Sequence, residues 1–332
     1  MKTNISTTKM CSALLAAAAL SLASCDRPST IQQKQTAVAA AAAQPAPNKT
    51  GFANVNGSRF YYQIYGDLAS AKTPLLVMHG AYMSAESMAP IAAAFAVSRP
   101  VIAFDARGHG RTGDLPGPIT YDQMADDAAG LLGALKVKRA DVLGYSLGGN
   151  TALAMAIRHP DKVGKQIILS GTALRDGWYP EVNAALQKVT PAAFAGSPLE
   201  AAFKRLSPTP NAFPAVVEKL RVLDASNYDR TDAAVRKIDG QTMIVVGDND
   251  AVDLSYALRL FKLRGGRDPK VTTQGFFSAA PLARLLILPG TSHVGIMANA
   301  DIIARLAVPF LDGTTPPTPP GFFKEPGNSP KS

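Results

Sequence analysis

Thiols are nearly absent. The chain has two cysteines in 332 residues, and both, Cys11 and Cys25, fall close to the N-terminus. The rest of the sequence therefore has no disulfide framework, no cysteine nucleophile and no thiolate metal site. Histidine is scarce too, with four copies, none of them in H-E-x-x-H spacing, so no metal site is indicated. A Walker loop is missing, and no organic cofactor is indicated. The formal net charge of +9 is scattered, without a run of Lys and Arg interleaved with aromatics. A nucleic-acid footprint is thus unsupported, and mild attraction to an anionic membrane surface is the more natural use of the charge. No apolar stretch is long enough to span a bilayer as a helix, and no internal repeat is evident.

What is present begins with a leader. Lys2 and Lys9 precede an apolar stretch from Met10 to Ala23, the pattern of an export signal. Its end, Leu22-Ala23-Ser24-Cys25, resembles the bacterial lipobox, which implies lipidation of Cys25 and removal of residues before it. The expectation is an exported protein, periplasmic or at the cell surface, held to a bacterial membrane by a lipid on Cys25. Residues 26–50 are rich in Ala, Gln, Ser, Thr and Pro and bury too little to offset their ordering entropy, so they read as a tether. Residues 314–332 form a Pro/Gly-rich tail in which Phe322 and Phe323 are candidates to dock on the domain.

Residues 51–313 read as one α/β domain. Phe52 to Val55 and Phe60 to Tyr65 flank Asn56-Gly57, a two-residue hairpin signal. Apolar strands then recur at Pro74 to Met78, Val101 to Phe104, Val142 to Gly144, Gln166 to Leu169, Met243 to Val246 and Leu285 to Leu288. Such runs, separated by helix-length segments, predict a mostly parallel sheet of about eight strands with helices on both faces. Thr120 with Gln123 three places on predicts a capping box. In a sheet of this kind functional groups collect at the carboxyl ends of the strands.

The densest chemistry is at Gly144-Tyr145-Ser146-Leu147-Gly148, a G-x-S-x-G nucleophile elbow followed at once by a small-residue helix. A sharp strand-to-helix turn needs glycine on both sides and leaves the Ser146 hydroxyl exposed, with helix N–H groups aimed at the reacting centre. The N–H of Leu147 is one candidate oxyanion-hole donor. Met78-His79-Gly80-Ala81-Tyr82 supplies the other, the N–H of Ala81. Two preorganised donors lower an acyl-transfer barrier by on the order of 3 kcal/mol each. Gly108, Gly110 and Gly113 formally match the dinucleotide fingerprint, but Asp-Leu-Pro-Gly-Pro follows where a phosphate-binding helix must start. Asp105 and Arg107 at that strand end read instead as an ion pair or turn-capping pair.

Taken in order, HG-x-Y-x-S, D-x-RGHG-x-T, G-Y-S-L-G, G-D-N-D and a lone strand-end histidine resemble the α/β-hydrolase family from Gly51 to Asp312, within its proline-iminopeptidase, haloperoxidase and small-ester hydrolase branch. The resemblance implies that fold, with a helical cap inserted at about 174–238 before the acid-bearing strand, and a Ser-His-Asp triad. Elimination gives the base: His79 and His109 sit in turns and His159 ends the nucleophile helix, leaving His293. Two carboxylates, Asp248 and Asp250, follow the strand Ile244 to Val246; the family pattern favours Asp250, with Asp248 as a turn former. Some relatives take the acid one strand earlier, which keeps Asp176 as an alternative.

Trp178 and Tyr179 open the cap, and Trp178 and Tyr82 are the candidate substrate-binding residues. A second insert, Arg264 to Leu282, reads as a mobile apolar loop near the site mouth. The expected activity is cleavage of a carboxylic ester through an acyl-enzyme, with proline-iminopeptidase-like, amide or lactone hydrolysis as the alternative; Glu181 and Glu200 are the acidic residues that keep an aminopeptidase open. Perhydrolysis would use the same triad as a side activity, and dehalogenation is disfavoured because Ser146 stands where an aspartate is needed. A reading of another class is a non-catalytic binding protein on the same scaffold.

Overall fold

The computed structural model describes residues 45–320. The leader, Cys25, most of the tether and the Phe322-Phe323 pair lie outside the described residues. Eight strands, β1 (Lys49–Val55), β2 (Ser58–Tyr65), β3 (Leu75–Met78), β4 (Val101–Phe104), β5 (Ala140–Tyr145), β6 (Val163–Leu169), β7 (Thr242–Asn249) and β8 (Ala283–Ser292), make one sheet in the order β1-β2-β4-β3-β5-β6-β7-β8. The pairings β1-β2 and β2-β4 are antiparallel and the rest parallel. At the hairpin, Asn56 and Gly57 both have positive φ, 49° and 78°, as the mirror-image turn that matches strand twist demands.

Ten helices complete the described chain: α1 (Ala89–Ala96), α2 (Tyr121–Ala134), α3 (Leu147–Arg158), α4 (Pro180–Leu186), α5 (Pro198–Leu206), α6 (Phe213–Ala225), α7 (Asp232–Arg236), α8 (Leu254–Leu263), α9 (Pro269–Gln274) and α10 (Ala300–Leu311). The central strands are buried along their whole length because both faces are covered. Their period-two alternation splits the core. Leu75 and Val77 pack with Ile91 and Phe95 of α1 and Ile303 and Phe310 of α10, whereas Leu76 and Met78 pack with α2 and α3 on the other face. Helices α4 to α7 and the short turns between them fill the interval between β6 and β7. This insert has its own aromatic core, Phe194, Phe203 and Phe213, with ring centroids 5.2 and 5.6 Å apart. Among the described residues no helix is long and apolar enough to cross a membrane.

Four local expectations need correction. Strand β1 opens at Lys49, inside the stretch read as tether, because pairing with Ile64 and Gln63 gives Lys49 and Thr50 a partner strand. Thr120 caps α2 by accepting from the N–H of Gln123 at 3.1 Å, but the Gln123 amide turns to Asp127 at 3.3 Å, so the box is one-sided. Asp105 and Arg107 do not pair. Arg107 Nε donates to Asp127 at 2.6 Å, and Asp105 instead accepts the N–H groups of Ala85 and Arg111 at 2.7 and 2.6 Å, which makes it a turn cap.

The fourth correction concerns 264–282. Helix α8 starts beyond the carboxyl end of β7 and runs back along the sheet, so the insert emerges at the opposite edge from the strand ends that carry Ser146. Arg264 is pinned there by Thr242, the first residue of β7, at 3.0 Å, and by the carbonyls of Val235, Ile238 and Gly240. The insert then enters β8 at Ala283, opposite Thr242. It carries helix α9 and lies away from the site mouth.

Candidate active site

Strand β5 ends at Tyr145 and α3 begins at Leu147, so the whole turn is made at Ser146, whose backbone takes φ 53° and ψ −116°. That conformation is costly for a side-chain-bearing residue and is held by packing on both sides. A Cβ at Gly144 would lie 2.0 Å from the carbonyl oxygen of Gly148, and one at Gly148 would lie 2.3 Å from that of Met78. Backbone stands where a side chain would go, which is the physical content of the two glycines in the motif.

His293 follows β8. Its Nε2 is 3.0 Å from Ser146 Oγ and its Nδ1 is 2.7 Å from Asp250 Oδ1. An ionised carboxylate only accepts, so Nδ1 carries the proton and Nε2 is left to accept from the serine. The Asp250 side chain is fully buried, while that of His293 keeps 22% exposure. Asp250 is also held by Ser170 Oγ at 2.6 Å and by the N–H groups of Gly247 and Val252 at 3.0 and 3.2 Å. Burial alone would raise this carboxyl; the His293 contact, with Ser170 and Gly247, outweighs it and holds Asp250 below the usual carboxylate range.

The loop bearing His293 is fixed from two directions. Asp248 accepts the N–H groups of Gly290 and Thr291 at 2.8 and 3.0 Å, which is the turn-forming role. Tyr145, beside the serine, donates its hydroxyl to the His293 carbonyl at 3.0 Å. Trp178 is buried, its ring edge against the imidazole with centroids 5.6 Å apart, and its Nε1 donates to Tyr228 at 3.1 Å. Asp176 sits exposed in the turn before it, far from an orienting role.

The N–H groups of Ala81 and of Leu147, the first residue of α3, make no hydrogen bond within the described residues. The peptide joining Gly80 to Ala81 is held through its carbonyl by His79 Nδ1 at 2.7 Å, while His79 Nε2 accepts the N–H of Ala106 at 3.0 Å. Burial, and then the neighbouring His109, pull His79 down to about 3, so it works as a neutral two-sided clamp. His109 is likewise lowered to about 4 by burial, and its Nδ1 donates to the Arg107 carbonyl at 2.9 Å. His159 meets Asp126 at 2.7 Å at the far end of α3. Tyr82 carries φ 63° and joins the oxyanion-side loop to the cap through Phe194, centroids 4.4 Å apart.

Ser170 and Tyr145 carry little functional signal in the sequence. Ser170 follows β6 with φ 50° and is completely buried; a polar residue just past an apolar strand was the only available signal. Tyr145 occupies a variable position of the elbow motif, and nothing local announces its contact with a loop far along the chain.

A hydroxyl against an imidazole that is itself held by a buried carboxylate has the geometry that acyl transfer needs. Residues 75–306 match the family model described as the alpha/beta hydrolase family. Among curated proteins, RutD of Caulobacter segnis, a carbamate hydrolase by name, is 35% identical over 117 residues, 35% of this chain and 44% of that protein. A 2-hydroxymuconate semialdehyde hydrolase from a Pseudomonas species is 38% identical over 110 residues, 32% of this chain and 38% of its own. The match thus spans less than half the length of either relative. Among solved structures, the enol-lactonase of Burkholderia xenovorans superposes with a TM-score of 0.58 at 23% identity, covering 79% of this chain and all of that one. These likenesses at low identity speak to the fold, which is that of the α/β hydrolases.

Proposed function

Because the chain belongs to the alpha/beta hydrolase family, we propose that it is a serine hydrolase that cleaves a carboxylic ester through an acyl-enzyme on Ser146. One observation carries this reading: the unbroken line from Ser146 Oγ to His293 Nε2 at 3.0 Å and from His293 Nδ1 to Asp250 at 2.7 Å. A serine hydroxyl at neutral pH is a poor nucleophile without a base in such reach. In the first half-reaction Oγ attacks the ester carbonyl and its proton passes to Nε2. The negative charge that develops on the carbonyl oxygen is taken by the N–H groups of Ala81 and Leu147, and the imidazolium is balanced by Asp250. Nε2 then returns the proton to the departing alcohol. Water, deprotonated by the same nitrogen, releases the acid and restores the serine.

Relatives named for carbamate and semialdehyde hydrolysis show that this family covers several bonds, so ester preference rests on the triad chemistry and on the small-ester branch that the motifs resemble. The test is a panel of p-nitrophenyl and alkyl esters of graded size, run beside matched amides. Turnover of esters at least about a hundredfold above amides supports the reading. Amide turnover at equal or higher rate contradicts it.

We further propose export and membrane attachment through a lipid on Cys25, on the strength of Leu22-Ala23-Ser24-Cys25 behind a basic and apolar leader. Cys25→Ala should move the protein from the membrane to the soluble fraction. Unchanged partitioning defeats the anchor.

A further inference from the structure

Asn150 is an amide on the buried side of the nucleophile helix. It is 4% exposed, and its backbone N–H donates to the carbonyl of Ser146 at 3.1 Å, in the first turn of α3. A buried amide is costly unless its polar atoms are paired, and a leucine would fill the position without that demand. Both ends of this one are used. The N–H of Thr172 donates to Oδ1 at 2.6 Å, and Nδ2 donates to the Tyr121 hydroxyl at 3.0 Å. A backbone N–H can only donate, so the Thr172 contact fixes which way the amide is turned.

Thr172 lies in the loop that leaves β6, residues 170–173, and the same loop reaches the acid. Ser170 donates its hydroxyl to Asp250 at 2.6 Å and its N–H to the carbonyl of Val245 in β7 at 2.8 Å. Gly171, between Ser170 and Thr172, lies so close to α3 that a Cβ on it would stand 2.8 Å from the Gly149 Cα. The loop therefore rests on the first turn of α3 backbone against backbone, and Asn150 adds a side-chain bond to that contact. On its far side the N–H of Ala173 donates to Tyr256 of α8 at 2.6 Å. Nucleophile and acid are thus joined by a short path, Asn150 to Thr172 and Ser170 to Asp250, that does not pass through the imidazole between them. The bond from Asn150 to Tyr121, at the start of α2, leads away from the acid.

The imidazole of His293 has a fixed width and meets Ser146 at 3.0 Å on one side and Asp250 at 2.7 Å on the other. It can keep both contacts only while the hydroxyl and the carboxylate hold one separation. Ser146 moves with α3 and Asp250 is held by Ser170, so a bond between α3 and the loop that carries Ser170 governs that separation. We propose that Asn150 is a positioning residue for the triad, its amide locking the loop after β6 to the nucleophile helix and so setting the span that His293 bridges. This rests on the serine-hydrolase reading for its effect on rate, and on the fold alone for its effect on the contact between His293 and Asp250.

Asn150→Leu keeps the volume and removes both bonds, whereas Tyr121→Phe removes only the one that leads to α2. Asn150→Asp leaves an acceptor for the Thr172 N–H and lets the Tyr121 hydroxyl donate to the other oxygen. With p-nitrophenyl butyrate, Asn150→Leu should lower kcat by about ten- to a hundredfold with KM little changed, because a misplaced reacting group is felt in the transition state. Tyr121→Phe should stay within about twofold of wild type, and Asn150→Asp should recover most of the loss. Independently of turnover, the low-field proton NMR line of His293 Nδ1–H, identified by its loss in His293→Ala, should move upfield or vanish in Asn150→Leu and persist in Tyr121→Phe. If Asn150→Leu does not fold, Asn150→Ser, whose side chain is too short for the Thr172 N–H, takes its place in both measurements. Full kcat in the Asn150 variant, a loss carried by KM, an equal loss in Tyr121→Phe or an unchanged His293 line overturns the assignment and leaves the hydrolase standing. A line altered by the Asn150 variant and not by Tyr121→Phe, in a protein that turns over no ester, keeps the assignment and removes the hydrolase reading. No turnover together with no change in the line removes both.

Discussion

The rings of Tyr145 and His293 lie tilted against each other, centroids 5.3 Å apart and planes inclined by 31°, and the Tyr145 hydroxyl donates to the His293 carbonyl at 3.0 Å. The residue before the nucleophile therefore holds the loop that carries the base. Tyr145→Phe keeps the ring and removes the bond. On the proposed mechanism kcat should fall about fivefold with KM little changed, since a neutral hydrogen bond is worth about 1 kcal/mol and the imidazole position matters most in the transition state. A fall in kcat/KM that comes wholly from KM contradicts this assignment.

Gly148 and Gly133 test the steric reading of the glycines from opposite ends. A Cβ at Gly148 meets the Met78 carbonyl at 2.3 Å, whereas one at Gly133 on α2 meets nothing within 4 Å. Gly148→Ala should cost several kcal/mol or prevent folding, and Gly133→Ala should stabilise by about 0.5–1 kcal/mol through helix propensity alone. Thermal unfolding of the two variants reads the difference; equal effects would undo the argument.

Ser170 is a positioning residue for Asp250, donating to its Oδ2 at 2.6 Å. The folded pKa of Asp250 lies below its unfolded value, so this carboxylate contributes stability that is present above the unfolded pKa and is lost as pH falls through the folded one. Ser170→Ala weakens the hold on the ionised form. Urea unfolding at pH 7 should show a loss of about 1–3 kcal/mol, and the acid transition should move to higher pH. An unchanged acid transition would show that Ser170 does not support the carboxylate.

Asp224 has the opposite sign. Its folded pKa, raised to about 7 by burial, stands above the unfolded value near 3.8, so the folded state keeps a proton that the unfolded chain releases between those limits. Stability should therefore decline as pH rises from about 4 to about 7 and level off above, by well under about 4 kcal/mol because the Asp224 side chain is only partly covered from solvent. Asp224→Asn should be more stable than wild type at pH 8 and equal to it at pH 4. A variant less stable at pH 8 would mean that the carboxylate has a partner within the protein.

The elbow was legible in the sequence because sterics leave few residue choices at such a turn: Gly144 and Gly148 are forced by backbone oxygens closer than any side chain allows. The sheet was legible because strands covered on both faces must be apolar throughout, as Leu75–Met78 and Val101–Phe104 are. His293 could be reached by elimination among four histidines. Contacts that depend on three-dimensional register were not legible. Arg107 has a carboxylate two residues away at Asp105, yet the partner that faces it is Asp127 on α2. Asp224 reads in sequence as one more polar residue on a cap helix, and only the fold partly covers it. The segment 264–282 has the glycines and phenylalanines of a mouth loop, but the direction of α8 carries it to the far edge of the sheet.

In the proposed mechanism Ser146 is made reactive by His293 and Asp250. Intact-mass measurement after brief exposure to a fluorophosphonate tests it most directly. On the proposed mechanism the wild type gains a single covalent adduct on Ser146, Ser146→Ala gains none, and labelling slows by at least about a hundredfold in His293→Ala. An unmodified wild-type protein in its folded state, or an adduct that persists in Ser146→Ala, would contradict it.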